Sequence, residues 1–234
     1  AGGDDVLGDM RAIGHLRFFF FVSDKRVLRL MRKEQIQSTI KHPRNCCTRS
    51  ASKPQYIAEN ILARDFHAER PNEKWVTDVT EFKFYDGQDT RKLYLSAILD
   101  LFDRRIVSYV IRNRNDNALV LGTLDKALRD NPDAHPLLHS DRGFQYTSHS
   151  FHVRIQKHGM IHSMSRVGHC IDNGPMEGFW GILKREMYYR HIYESRNDLV
   201  NALEGYLHYY NFERLQRRLS IMTPQEYHNH YLAA

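Results

Sequence analysis

The 234-residue sequence predicts an α/β protein, a mixed five-stranded sheet flanked by helices, with a small basic helical segment ahead of it. Three observations carry the prediction. From Trp75 the apolar residues follow a period of two through three runs joined by short turns, the pattern of an antiparallel meander. From residue 115 onward, stretches of helical period alternate with two short apolar runs, which adds strands between helices. The positive charge is gathered upstream: Lys25, Arg26, Arg29, Arg32, Lys33, Lys41, Arg44, Arg49 and Lys53 face only Asp24 and Glu34, and account for the whole formal excess of +6.

Taken in order, residues 1–22 open with turn character and hold the apolar run Phe18 to Val22. That run is too short to span a bilayer and follows acidic residues, so neither a leader nor a membrane anchor is expected. Ser23 or Asp24 caps a helix reaching about Arg32, whose apolar side is Val27, Leu28, Leu30 and Met31. Its basic residues Lys25, Arg26, Arg29, Arg32 and Lys33 suit either a polyanion, most simply nucleic acid, or a solvated charged face. Residues 42–56 read as a basic linker, 60–66 as a short helix, and 69–73 as a break. The expected divisions are a basic helical segment and linker over 1–56, a connector over 57–73, a core over 74–190 and C-terminal helices over 191–234.

Within the core, strands are expected at 75–84, 92–101 and 106–112, with turns at 85–89 and 103–104. A helix over 115–130 presents Leu119, Val120, Leu121, Leu124, Ala127 and Leu128 on a broad apolar side. After Pro132 and Pro136, a buried strand over 136–140 delivers Asp141 at its end. A helix at 148–158 and a strand at 160–163 follow. Asp172-Asn173-Gly174-Pro175 is a loop ending in the first turn of a helix, with Pro175 where its missing N–H costs nothing. Met176, Phe179, Trp180, Leu183 and Met187 form the buried stripe of that helix, while Glu177, Gly181 and Lys184 line an adjacent face. Helices at 196–211 and after Pro224 close the chain.

Three cysteines, two of them adjacent, are too few for a disulfide framework, and no zinc-binding spacing occurs among the fourteen histidines. A reducing, intracellular setting is expected. In the predicted sheet the first strand and the strand after the first helix are neighbours, and the helix after the loop packs across their ends, so Asp78, Asp141 and Glu177 converge. Three carboxylates side by side need a compensating cation, and hard oxygen ligands suit Mg²⁺ or Mn²⁺. Two such ions about 4 Å apart assist in-line displacement at a phosphodiester. The arrangement points to phosphoryl transfer on nucleic acid.

Trp75-Val76-Thr77-Asp78-Val79-Thr80, His139-Ser140-Asp141-Arg142-Gly143-Phe144-Gln145-Tyr146 and Asp172-Asn173-Gly174-Pro175-Met176-Glu177 resemble the three acidic blocks of DDE transposases and retroviral-type integrases. The second reading-frame product of the insertion-sequence-three family is most similar: 35 residues separate Asp141 from Glu177, and Lys184 follows seven after the acid. Tyr210-Asn211-Phe212-Glu213-Arg214-Leu215-Gln216 with Thr223-Pro224-Gln225-Glu226-Tyr227 resembles the C-terminal signature of that family. The resemblance implies a ribonuclease-H-like core and Mg²⁺-dependent cutting and joining of the element's own DNA ends. It also implies Asp78, Asp141 and Glu177 as metal-holding catalytic acids and Lys184 as a DNA contact near the cleaved end. Its implied partners are double-stranded DNA of element ends and target, an upstream reading-frame protein carrying a helix-turn-helix, and further copies of the chain on DNA. A cytoplasmic, nucleoid-associated protein of a bacterium is implied too. A non-catalytic DNA-binding protein that kept the fold is the alternative, and a nuclease without joining activity a third.

Other polar residues compete for these roles. Asp100 and Asp103 are read as turn or cap residues, Asp172 as a helix cap, and Asn173 as a cap or a residue facing the metals. His139 is read as a satisfied core histidine, Glu186 as a solvated helix residue, and Trp75 and Trp180 as core.

Overall fold

The computed structural model describes residues 23–36 and 54–233 of a chain that divides into two units, Ala1–His42 and Pro43–Ala234. The expectations for 1–22 and for most of the 42–56 linker lie outside the described residues. In the first unit, α1 (Asp24–Lys33) begins after Ser23, which has extended N-cap backbone but makes no side-chain cap bond. Arg32 and Lys33 in its last turn face the negative end of the helix dipole. Lys25, Arg26, Arg29, Arg32 and Lys33 are all exposed.

The second unit runs β1 (Lys74–Asp86), β2 (Asp89–Asp100), β3 (Ile106–Arg112), α2 (Asn117–Asp130), β4 (Leu137–Ser140), α3 (His149–Lys157), β5 (Ile161–Met164), α4 (Gly174–Glu186), α5 (Arg196–Phe212) and α6 (Pro224–Leu232). The sheet has the order β3-β2-β1-β4-β5. Its first three strands form the antiparallel meander, and β4 joins β1, and β5 joins β4, in parallel. The β1–β2 hairpin closes through Gly87 and Gln88 between paired Asp86 and Asp89; Gly87 sits at φ +63°, where a Cβ is penalised. Ser148, Ser195 and Thr223 each accept a backbone N–H at the start of a helix, and Thr223 with Glu226 completes a capping box.

Strand alternation sorts β1 between two cores. Trp75, fully buried, packs with Val120 and Leu124 of α2 and Phe151 and Ile155 of α3. Val76, Phe82 and Phe84 point to the opposite face, against Met176, Phe179, Trp180 and Leu183 of α4 and Leu199, Leu203 and Leu207 of α5. Asp78 has the parity of Val76 and Phe82, so strand geometry alone puts it beneath α4. Burying each large apolar side chain contributes roughly 1.5–3 kcal/mol, so these two layers fix α4 firmly over the sheet.

Residues 60–66 are not helical, contrary to the sequence expectation. Asn60 Oδ1 accepts the Ala63 N–H at 3.0 Å, and Ala63 and Arg64 take φ of 47° and 67°. A local side-chain bond thus replaces the first helical turn, and two left-handed residues end it. A short 3₁₀ turn, Cys170–Asn173, precedes α4 and was not expected.

Candidate active site

The parallel register of β1 and β4 sets Val76 opposite His139. Two residues further along both strands come Asp78 and Asp141, and neighbouring strands lie about 4.8 Å apart. The two acids therefore stand side by side where β4 ends. The Gly143 N–H donates to Asp141 Oδ1 at 2.8 Å. A Cβ at Gly143 would lie 2.9 Å from that same oxygen, so any other residue would push the Asp141 carboxylate out of this position. Asp78 Oδ2 accepts the indole N–H of Trp180 at 3.1 Å. Asn173 Nδ2 donates to the Thr77 carbonyl at 3.1 Å. Asn173 and Trp180 flank Glu177 in sequence, so α4 is tied to β1 on both sides of Glu177.

Burial, and next the negative charge of Asp141, push the Asp78 carboxyl well above its ordinary range; Glu177 adds to this, while the Val79 and Trp180 N–H groups oppose it. Burial also raises Asp141, against the Gly143 N–H. On the other side of the sheet, the Tyr146 hydroxyl shares a 3.3 Å hydrogen bond with Thr77 Oγ1. Burial raises it well above the usual tyrosine value, and the charges of Asp78 and Asp141 add to the rise. The three acids thus belong to one electrostatic site. They do not form a finished ligand shell: among the described residues no three His, Cys, Asp or Glu side chains are placed to hold a metal ion together. Glu177 is exposed on the first turn of α4, and like-charged carboxylates repel.

The competing residues take sharper roles than their types implied. Asp172 is no helix cap. It is fully buried and accepts from Asn60 Nδ2, Arg64 Nε, and the backbone N, Nε and Nη2 of Arg166, at 2.6–3.1 Å. The hydrogen bonds from Arg166, with those from Arg64, hold its carboxyl well below the usual range. Asn173 stands at the N-cap position of α4 but its side chain makes no cap bond, and its Oδ1 is buried with no partner among the described residues. Glu186 is not merely solvated: Arg214 grips it in a two-pronged ion pair at 2.7 and 2.9 Å, and the Tyr206 hydroxyl donates to it at 2.8 Å. Trp180 is core, yet it also holds Asp78.

Other readings stand. Asp100 accepts the Phe102 and Asn72 N–H groups and the Trp75 indole, and burial with the Asp103 charge pushes it up to about 7. Asp103 accepts the Arg105 N–H at its turn. His139 is a satisfied core histidine between Ser163 Oγ and Ser165 Oγ, and burial lowers it to about 4. Lys184 is half-buried, its Nζ 5.4 Å from the Phe82 ring centroid.

A three-layer unit with this strand order, bearing acids on β1, at the end of β4 and at the start of the helix that crosses them, defines the class of ribonuclease-H-like integrase cores. The HTLV-2 integrase catalytic core domain, solved in complex with magnesium, shares this fold at a TM-score of 0.54 and 21% identity, over 69% of this chain and 99% of that one. The integrase core domain family matches residues 68–170, and a second family of the same description matches 177–232. A putative transposase InsK for insertion sequence element IS150 of Escherichia coli is 41% identical over 209 residues, covering 89% of this chain and 72% of that protein. Transposase InsF for insertion sequence IS3A of E. coli is 31% identical over 179 residues, 76% of this chain and 61% of that protein. The chain belongs to the insertion-sequence-three family of transposases.

Proposed function

We propose that the chain performs metal-dependent cleavage and strand transfer at insertion-sequence ends, with Asp78, Asp141 and Glu177 as the metal-holding catalytic acids. The observation that carries this reading is the β1–β4 register, which sets Asp78 beside Asp141 with Trp180 of the Glu177 helix bonded to Asp78; burial and the neighbouring carboxylates disfavour the Asp78 charge, which a divalent cation would reverse. Hard carboxylate oxygens fit Mg²⁺, with Mn²⁺ as a substitute. When bound, such ions activate the attacking oxygen and stabilise the leaving one.

The chain's own residues position these acids. Trp180 orients the Asp78 carboxylate, the Gly143 N–H fixes one oxygen of Asp141, and Asn173 and Trp180 tie α4 to β1 on both sides of Glu177. Water is the nucleophile in cleavage and a 3′-hydroxyl in joining, without a covalent enzyme intermediate. Lys184 contacts DNA near the cleaved end, and Lys25, Arg26, Arg29, Arg32 and Lys33 contact backbone phosphates. Residues 74–190 form the catalytic core, with 1–56 the basic DNA-binding segment, 57–73 a connector and 191–234 the C-terminal helices. Copies of the chain assemble on paired ends in the bacterial cytoplasm, with an upstream reading-frame protein supplying end recognition.

Incubating labelled end DNA with the chain in Mg²⁺, in Mn²⁺ and with chelator tests this reading. Joined products dependent on metal are expected. Nicks without joining would indicate a nuclease instead, and binding without any product a non-catalytic binder.

A further inference from the structure

A recess of about 210 Å³ lies along the side of α4 that carries Pro175, Gly178 and Ile182. Its apolar wall includes Phe179, Ile182 and Tyr210, and its polar lining is Arg104, Gln216 and Arg218. Ile182, five residues after Glu177, is about 140° around the helix from it. The recess is therefore separate from the face that Glu177 shares with Lys184.

Arg104 is the unusual member. It sits in the β2–β3 turn with φ 63° and is only 6% exposed. Its Nη2 donates to the Phe66 carbonyl at 3.3 Å, but its buried Nε has no partner among the described residues. Burial, and next the positive Arg218, push Arg104 down to about 10, so a second guanidinium faces it. Asp100 and Asp103 act in the other direction, yet their oxygens are occupied by Asn72, Phe102, Arg105 and His228.

A buried guanidinium with an idle donor, set against a like charge, is costly unless an anion completes it. Guanidinium groups match phosphate oxygens with directed N–H groups, and Arg218 is exposed on a short 3₁₀ turn with Arg217. We propose that this recess takes a backbone phosphate of DNA, on a stretch apart from the phosphodiester that reacts at the acids. The proposal rests on the reading of the chain as an enzyme acting on DNA.

The test follows binding of a labelled duplex by fluorescence anisotropy across a salt series. It compares the wild type with Arg218→Gln and Gly178→Asp, and runs a parallel arm with inorganic pyrophosphate. Arg218 is exposed, and a Cβ at Gly178 meets nothing within 4 Å, so both variants are expected to fold, unlike a change at buried Arg104. Each variant is expected to weaken binding, and each lost phosphate contact to flatten the slope of log affinity against log salt by about 0.9. Pyrophosphate is expected to compete with DNA for the wild type and to lose that effect in Arg218→Gln. An unchanged slope in both variants would overturn the site. So would pyrophosphate binding that depends on Arg218 while DNA binding does not, because the recess would then hold small anions. A wild type that binds no DNA at all would strike the transposase reading itself, a result distinct from an unchanged slope.

Discussion

Asp172→Asn removes a charge from the most heavily bonded carboxylate beside the site. Five hydrogen bonds converge on it, three of them from Arg166 and one each from Arg64 and Asn60. Breaking a buried ion pair from one side costs about 3–5 kcal/mol when the stranded partner stays buried. Here the side chains of Arg64 and Arg166 are 40% and 51% exposed, so both recover much of their hydration. The expected loss is therefore about 2–3 kcal/mol. For a protein of this size that lowers the melting temperature by roughly 4–12 °C. Because the folded carboxyl titrates well below the unfolded value of 3.8, its contribution is fully present above that value and is lost only as pH falls through the folded one. The gap between wild type and variant is thus expected to be constant from about pH 7 to pH 5 and to narrow only below about pH 4. Thermal melts across that range provide the assay. A gap below about 1 °C, or one that closes between pH 7 and pH 5, would refute the reasoning.

Other expectations are equally direct. Trp180→Phe keeps an aromatic core side chain but loses the donor to Asp78 and some buried volume; strand transfer is expected to fall about tenfold or more, with a melting temperature lowered by only a few degrees (~1–2 kcal/mol). Gly143→Ala drives a methyl against Asp141 Oδ1, so joining should collapse in a variant whose melt stays close to wild type. Glu186→Gln takes the charge from the Arg214 fork, whose partners are partly solvated; a loss of about 1–2 kcal/mol in urea unfolding is expected.

Much of this architecture is written in local pattern. The period-two runs give the meander, and the parity of Asp78 with Val76 and Phe82 gives the face it occupies. The proline after Asn173 marks the start of the helix carrying Glu177. What local pattern does not carry is the identity of partners distant in the chain. Trp180 and Asp78 are 102 residues apart, and nothing in either segment announces their hydrogen bond. Only the i,i+3 placement of Trp180 after Glu177 hinted that its indole lay near the acids. Asp172 looked like a cap because a loop aspartate before a helix usually is one, yet its partner Arg64 lies 108 positions away. Glu186 and Arg214 likewise meet only because α4 and the end of α5 pack together. Residues 60–66 misled in the opposite direction: their composition permits a helix, but the tertiary demand that Asn60 reach Asp172 and cap its own turn prevails.

The central claim is that Asp78, Asp141 and Glu177 act as one metal-dependent site. Its most direct test measures nicking and joining of end DNA in Mg²⁺ by Asp78→Asn, Asp141→Asn and Glu177→Gln, each shown by melting to be folded and by anisotropy to bind DNA. All three are expected to lose both reactions while keeping fold and binding. Full activity in any one of them would contradict it.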